Sequence, residues 1–178
     1  DGMLGGANSD IAARFLPHLP VACGRKALER KEEMFRARLT HLPPAAGLMD
    51  LLDFAQAKCV AIALVSNAPR ENVDAMLAAL DLTERFPVVV LGDELPRAKP
   101  DPLPYAEALR RLGAQAGQSV AFEDSRTGVL AAAGAGVATV GIGNSADPEI
   151  LIDAGARLAA RDFSDPRVMA IVRETLGV

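Results

Sequence analysis

Apolar residues form two alternating patterns over most of the chain. Four short runs are apolar over nearly their whole length and rich in valine and isoleucine, as expected of parallel strands covered by helices on both faces. These runs are residues 60–65, 88–91, 119–122 and 137–142. Leucine, alanine and arginine recur at helical spacing in three segments between them. These segments are residues 71–80, 103–112 and 127–135. The alternation predicts an α/β fold with a doubly wound, Rossmann-like parallel sheet.

The first part of the chain has no strand-like run and instead predicts helices. Residues 25–39 are strongly charged, with Leu28, Met34 and Phe35 on one side of the predicted helix. We expect Met34, and Met76 in a later helix, to belong to the core. A proline pair breaks the pattern at residues 43 and 44, which favours a boundary there. The sequence thus predicts a small helical module over residues 1–43 and an α/β core over residues 44–178.

Charge and hydropathy narrow the range of partners. The net charge of −4 gives the chain no general basic field, which argues against nucleic acid as the main partner. No apolar stretch is long enough to span a membrane, and the N-terminal segment lacks the pattern of a secretion signal. We therefore expect a cytoplasmic protein that acts on a small molecule. The pattern gives no indication of the oligomeric state.

The two cysteines, Cys23 and Cys59, lie far apart and without the spacing of a metal site. In the cytoplasm they are expected to be reduced. We expect both thiols to be packed as apolar groups and neither to act as a nucleophile.

Polar residues follow the first predicted strand at the sheet edge where ligands bind in folds of this kind. Ser66 and Asn67 come directly after residues 60–65 and before a predicted helix. A hydroxyl and successive backbone N–H groups at a helix start can hold a phosphate or another anion. The same residues also suit an ordinary turn with a side-chain cap.

A lysine and two carboxylates lie at corresponding places further along the chain. Lys99 precedes the predicted helix cap Asp101, where its ammonium and the helix dipole attract an anion, although a solvated surface lysine is the alternative. Glu123 and Asp124 end the third predicted strand. An adjacent acidic pair suits Mg²⁺, although Asp124 or Ser125 can equally cap the following helix.

These features together predict one site, since each lies at the carboxyl end of a predicted strand. A divalent ion and a lysine neutralise phosphoryl oxygens while a hydroxyl and amides donate hydrogen bonds. The order of hydroxyl, amine and acidic pair therefore indicates a combined phosphate and metal site.

In this order, the residues resemble motifs of the haloacid dehalogenase superfamily, in the branch of beta-phosphoglucomutase-like and phosphoglycolate phosphatase-like enzymes with a helical cap. Residues 65–67 resemble its second motif, residues 99–102 with Tyr105 its third, and residues 123–125 with Gly128 its fourth.

The resemblance implies a role for each matched residue. Ser66 would bind the transferring phosphoryl group with help from the backbone of Asn67, and Lys99 would neutralise that group. Asp124 would ligate Mg²⁺, with Glu123 as a second ligand directly or through water. Gly128 would let the following helix pack closely, and residues 9–42 would form most of a cap over the substrate.

The first family motif, Asp-x-Asp-Gly at a strand end, does not occur in the 178 residues. That motif supplies the nucleophile, and family topology places its strand at the centre of the sheet, between the strands ending at Ser66 and Asp124. We therefore expect the nucleophilic aspartate to lie upstream of residue 1. The implied reaction is hydrolysis of a small phosphorylated metabolite through an aspartyl-phosphate.

Substrate contacts would come from the predicted cap. Relatives that prefer sugar phosphates often carry an arginine where this chain has Gly6, Ala7 and Asn8, so Asn8, Arg14 and Lys31 are the candidates for contact with the substrate. A solvated position on a helix is the alternative for Arg14 and Lys31. Two other functions stay open: a phosphomutase, and a non-catalytic module that binds phosphate or a partner on the same scaffold.

Overall fold

The computed structural model describes residues 8–40, 42–143 and 145–178, and within them the chain alternates between helices and strands. The helices are α1 (Asn8–Phe15), α2 (Val21–Arg38), α3 (Leu48–Ala57), α4 (Arg70–Ala79), α5 (Leu103–Leu112), α6 (Arg126–Gly134), α7 (Pro148–Asp153) and α8 (Pro166–Leu176). The strands are β1 (Ala63–Ser66), β2 (Val88–Leu91), β3 (Val120–Glu123), β4 (Ala138–Ile142) and β5 (Leu158–Ala160). Short 3₁₀ turns cover Thr83–Arg85, Gly92–Glu94 and Ala116–Gln118.

All strand pairs are parallel, and a helix connects each strand to the next. β1 pairs with β2, placing Ser66 opposite Leu91. β4 pairs with both β3 and β5, with Glu123 opposite Gly141. The predicted α/β fold with parallel sheets is confirmed, and the four predicted strands occur with ends shifted by at most three residues.

The strands form two sheets, of which one contains β1 and β2 and the other β3, β4 and β5. Within the described ranges, one edge of β1 and one edge of β3 therefore have no strand partner. An apolar cavity of about 490 Å³ is lined by residues of both strands, including Leu64, Val65, Ala121 and Phe122. The cavity therefore lies between the two sheets.

Apolar side chains of the helices cover the strands. Leu52 on α3 and Val73 and Leu77 on α4 form a buried cluster with Leu91 of β2. A second cluster joins α5, α6 and β3, and a third joins β4, β5 and α8. β4 is buried along its whole length, which agrees with its uninterrupted apolar sequence. Helices thus enclose the strands, while the strands' carboxyl ends carry the polar residues discussed below.

Helices α1 and α2 pack against each other, and α2 also packs against α4. The buried positions on α2 are Gly24, Leu28 and Glu32, which lie four residues apart and so share one face. The expectation that Met34 belongs to the core is wrong, since Met34 is 43% exposed and its neighbour Phe35 is 40% exposed. Both lie off the stripe at 24, 28 and 32. The domain boundary near residue 43 stays a prediction.

Three further expectations about buried side chains are also wrong. Met76 on α4 is 39% exposed. Cys23 and Cys59 are free thiols, but both are exposed rather than packed. Cys59 lies in a turn after α3 with a positive φ of 54°.

In the described part of the chain, no helix is both long and apolar enough to cross a bilayer.

Candidate functional site

Lys99 is the centre of a buried polar cluster at the carboxyl ends of β1 and β3. Its side chain is 7% exposed, so the solvated alternative is excluded. The Nζ atom lies 2.6 Å from Oε1 of Glu123, at the end of β3, and 3.1 Å from the carbonyl oxygen of Val65 in β1. The ammonium therefore bridges the ends of the two sheets.

Asn67 holds the backbone of Lys99 through its side-chain amide. Its Nδ2 donates to the Lys99 carbonyl oxygen at 2.9 Å, and its Oδ1 accepts from the Lys99 backbone N–H at 3.1 Å. Gly92 makes room for this amide, since a Cβ there would lie 2.3 Å from Asn67 Oδ1. From the sequence, Asn67 was expected to act through its backbone only, and Gly92 was not expected to belong to the site. A glycine directly after a strand was the one available signal.

Ser66 is the last residue of β1 and follows Val65, whose carbonyl accepts from Lys99. Its Oγ accepts a hydrogen bond from the backbone N–H of Ala68 at 3.0 Å. This contact matches the turn alternative, yet it uses only an oxygen lone pair. The hydroxyl can still donate its hydrogen to a ligand, so one residue can serve both the turn and an anion.

Glu123 is a buried carboxylate that receives two donors. Its Oε1 accepts from Lys99 Nζ at 2.6 Å and from the Tyr105 hydroxyl at 2.5 Å. Gly128 in the first turn of α6 allows this arrangement, because a Cβ there would lie 1.9 Å from Glu123 Oε2. Ser125 caps the same helix by accepting from the Gly128 N–H, so the capping alternative holds for Ser125. The close approach expected at Gly128 is thus made to Glu123.

Tyr105 keeps its proton in this environment. Burial raises the pKa of the phenol well above its ordinary value near 10, and the negative charge of Glu123 raises it further. The neutral hydroxyl therefore remains a donor to Glu123 throughout the physiological range.

We expect folding stability to fall as pH rises above about 10, because the unfolded phenol then ionises while the folded one stays protonated. Tyr105→Phe should flatten this decline. The chain has one tyrosine and no tryptophan, so an ultraviolet titration of tyrosinate reports on this residue alone. A folded-state midpoint at the ordinary tyrosine value would contradict the structure.

Asp124 differs from its neighbour Glu123 because it is exposed. Mg²⁺ prefers oxygen ligands and commonly binds one or two carboxylates, several waters and phosphate oxygens. The carboxylates of Asp124 and Glu123 are ligands of the kind that this ion prefers. Asp124 is open to solvent, while one oxygen of Glu123 is already engaged by Lys99 and Tyr105. In the ranges that the structure describes, no group of three or more His, Cys, Asp or Glu side chains surrounds a common point.

The three substrate candidates lie on the first two helices. The Arg14 guanidinium packs 5.3 Å from the centre of the Phe15 ring, and Lys31 Nζ forms an ion pair with Glu32 at 2.7 Å. Asn8 begins α1, and its side chain lies outside the described part. The observed partners of Arg14 and Lys31 are thus α1 and α2 residues, and the structure does not join them to the cluster around Lys99.

Two similar proteins with curated names are phosphatases. The chain is 35% identical over 134 residues to a phosphorylated carbohydrates phosphatase of Thermotoga maritima, covering 74% of this chain and 61% of the relative. It is 33% identical over 134 residues to validoxylamine A 7'-phosphate phosphatase of Streptomyces hygroscopicus, covering 74% and 62%. The chain thus spans about three fifths of the length of these relatives.

Solved structures share the fold. CbbY from Rhodobacter sphaeroides in complex with xylulose-(1,5)bisphosphate superposes with a TM-score of 0.77 at 31% identity, over 90% of this chain and 75% of that one. A hydrolase from Entamoeba histolytica superposes with a TM-score of 0.83 at 21% identity, over 100% and 81%. The second likeness concerns the fold alone.

A family model described as haloacid dehalogenase-like hydrolase matches residues 5–142. This range contains all three motifs whose side chains meet at the ends of β1 and β3. Because this match covers most of the chain, the chain belongs to the haloacid dehalogenase-like hydrolase family.

Proposed function

We propose that the protein is a phosphatase that hydrolyses a small phosphorylated metabolite, with phosphorylated carbohydrates as the favoured class. The observation that carries this proposal is the buried Lys99 ammonium between the ends of β1 and β3, which donates to the carbonyl oxygen of Val65, the residue before Ser66. A cation held in a site of low dielectric constant interacts strongly with a phosphoryl group. The names of the curated phosphatases support the substrate class.

Each residue of the cluster has a role in this proposal. Ser66 donates its hydroxyl hydrogen to a phosphoryl oxygen, and Lys99 neutralises the charge that develops on the group. Asn67 fixes the backbone of Lys99, while Glu123, itself held by the Tyr105 hydroxyl, orients the Lys99 ammonium. These contacts hold the ammonium in a fixed position, which limits the reorganisation needed during the reaction.

Asp124 would hold Mg²⁺, with Glu123 contributing directly or through water. When bound, the ion supplies positive charge that neutralises phosphoryl oxygens and orients the group for attack. Asp124 is suited to this role because its carboxylate is exposed at the end of β3.

The nucleophile of this proposal is an aspartate upstream of Asp1, at the end of a strand between β1 and β3. The apolar cavity and the two unpartnered strand edges in the described chain support this placement. A carboxylate oxygen attacks phosphorus while the bond to the leaving oxygen breaks, which gives an aspartyl-phosphate. Water then hydrolyses this intermediate and releases inorganic phosphate.

We propose that α1 and α2 belong to a cap over this site, within a helical domain of residues 1–43. Arg14, Lys31 and Asn8 remain the candidates for contact with the substrate from this side. A cap that excludes water strengthens the electrostatic interactions beneath it.

A phosphomutase is the second candidate. A putative beta-phosphoglucomutase from Thermotoga maritima superposes with a TM-score of 0.70 at 28% identity, over 93% of this chain and 82% of that one. The two activities differ in whether water or a second substrate hydroxyl accepts the phosphoryl group. A screen of sugar phosphates that records both released phosphate and isomerised product separates them, and a protein with neither activity would favour a binding module.

Asp124→Asn should reduce turnover of the natural full-length protein about 10²-fold or more, because it removes the proposed metal carboxylate. The measurement is phosphate release from p-nitrophenyl phosphate over a Mg²⁺ titration. Asp153→Asn removes an equally exposed carboxylate at the end of α7 and serves as the matched control. Unchanged turnover and Mg²⁺ dependence in Asp124→Asn would remove Asp124 from the site.

A further inference from the structure

A buried polar cluster outside the Lys99 site joins α2 to α4. Asn72 is 4% exposed and Glu32 is 7% exposed. Asn72 Nδ2 donates to Glu32 Oε2 at 2.5 Å, and Asn72 Oδ1 accepts from Arg36 Nη1 at 2.7 Å. We call these three residues the latch.

The chemistry of the latch requires an amide on the α4 side. Glu32 and Arg36 lie four residues apart, so both face the same neighbour. One presents an acceptor and the other a donor, and an amide is a side chain that satisfies both at once. Both contacts are directional, and the one to Glu32 is buried while the one to Arg36 is partly buried. Sliding or rotating α2 on α4 would therefore break both hydrogen bonds.

Asn72 lies shortly after residues 66–69, the proposed phosphate-binding loop between β1 and α4, which we call the phosphate loop. Asn72 lies in the first turn of α4, and its backbone N–H bonds to the Pro69 carbonyl at 3.0 Å. That helix begins four residues after Ser66 in the sequence. Docking of α2 and the shape of the loop at Ser66 therefore depend on the same helical turn.

We propose that Asn72 is a positioning residue that docks helix α2 on the core next to the phosphate loop. The inference rests on the proposed function in treating α1 and α2 as part of a cap and Ser66 as part of a phosphate site. Ligand binding at Ser66 and docking of α2 then stabilise each other, since coupling between two sites is reciprocal.

Asn72→Asp is the sharpest test, because it is nearly isosteric and changes only the charge and the hydrogen-bonding pattern of the side chain. A carboxylate still accepts from Arg36, but it repels Glu32 and cannot donate to it. We expect the backbone amides of α2 to exchange with deuterium about tenfold faster or more, while those of β3 and β4 keep their rates. Exchange measured by mass spectrometry resolves the two regions.

A second substitution should restore docking if the proposed pattern is right. In the double variant Asn72→Asp with Glu32→Gln, the new amide at position 32 donates to the new carboxylate, which still accepts from Arg36. We expect exchange in α2 to return to within about threefold of the natural protein. Asp74→Asn, an exposed change on the same helix, is the matched control and should alter neither region.

Two results in these variants would contradict the proposed role of Asn72. Unchanged α2 exchange in Asn72→Asp, or no recovery in the double variant, would overturn it. If β3 and β4 also lose protection, Arg36→Met provides the milder test, since it removes one donor and keeps the aliphatic stem. Loss of protection confined to α2 in that variant supports the latch, and equal loss in every region overturns it.

A titration with inorganic phosphate tests the proposed function independently of the latch. Calorimetric titration of the natural protein and of Lys99→Met tests the phosphate site itself. If neither binds phosphate, the proposed function fails, while the exchange measured without phosphate still decides the latch. If the natural protein binds phosphate, α2 should exchange more slowly in its presence, and unaltered exchange would overturn the coupling.

Discussion

Lys99→Met should reduce turnover of the natural full-length protein about 10²- to 10³-fold, the range found when one preorganised donor to developing charge is removed. The substitution also leaves Glu123 as a buried carboxylate without its cation. Removing one partner of a buried ion pair costs about 3–5 kcal/mol of folding stability. Denaturant titration and phosphate release measure the two losses separately.

A double variant distinguishes the two roles of Lys99. Lys99→Met with Glu123→Gln removes the buried charge, and the amide can still accept from Tyr105. We expect most of the lost stability to return while turnover stays low. If turnover returned together with stability, Lys99 would be a structural residue and the proposed role in neutralising the phosphoryl group would be wrong.

Gly128→Ala should destabilise the protein and disable the site, although it adds a single methyl group. The new Cβ would lie 1.9 Å from Glu123 Oε2 and 2.2 Å from its Cδ, so the carboxylate must move. Forcing an extra carbon into a packed interior costs about 1–3 kcal/mol. Displacement of Glu123 also removes the partner that orients Lys99, and turnover should fall about tenfold or more.

Gly134→Ala in the same helix is the control for this substitution. A Cβ at Gly134 would meet its nearest neighbour, Pro102 Cβ, at an ordinary 3.5 Å. Alanine favours a helix over glycine by about 0.8–1.0 kcal/mol, so stability should stay level or rise slightly. A thermal melt of both variants checks the contrast, and equal effects at the two positions would refute the close approach at Gly128.

Sequence patterns predicted the elements more reliably than the environment of single side chains. The apolar runs correctly located β2 and, within a few residues, β1, β3 and β4. The amphipathic pattern of α2 was less informative, because it pointed to Met34 whereas the buried stripe includes Glu32. Periodicity records which residues can be buried, but a charged residue is buried when a partner on another element satisfies it.

The three residues of the latch likewise could not be recognised as buried partners from the sequence pattern. Glu32 and Arg36 read as part of a charged, solvated helix, and Asn72 as a polar position in the first turn of another helix. The Arg36–Asn72 hydrogen bond spans 36 positions of the sequence, and the Glu32–Asn72 hydrogen bond spans 40. No local pattern encodes a contact between elements that only meet when the chain folds.

By itself, the sequence determined that Ser66, Lys99 and the pair Glu123 and Asp124 follow successive strands, and parallel strands bring such ends to one edge of a sheet. Only the tertiary structure decided which carboxylate is buried and which is exposed. Glu123 is buried against Lys99 and Tyr105, while Asp124 faces solvent. The reason is steric and electrostatic, since Gly128 admits the Glu123 carboxylate and the ammonium and hydroxyl stabilise it there. These groups approach one another across 18 to 24 residues of chain, and that proximity exists only in the folded molecule.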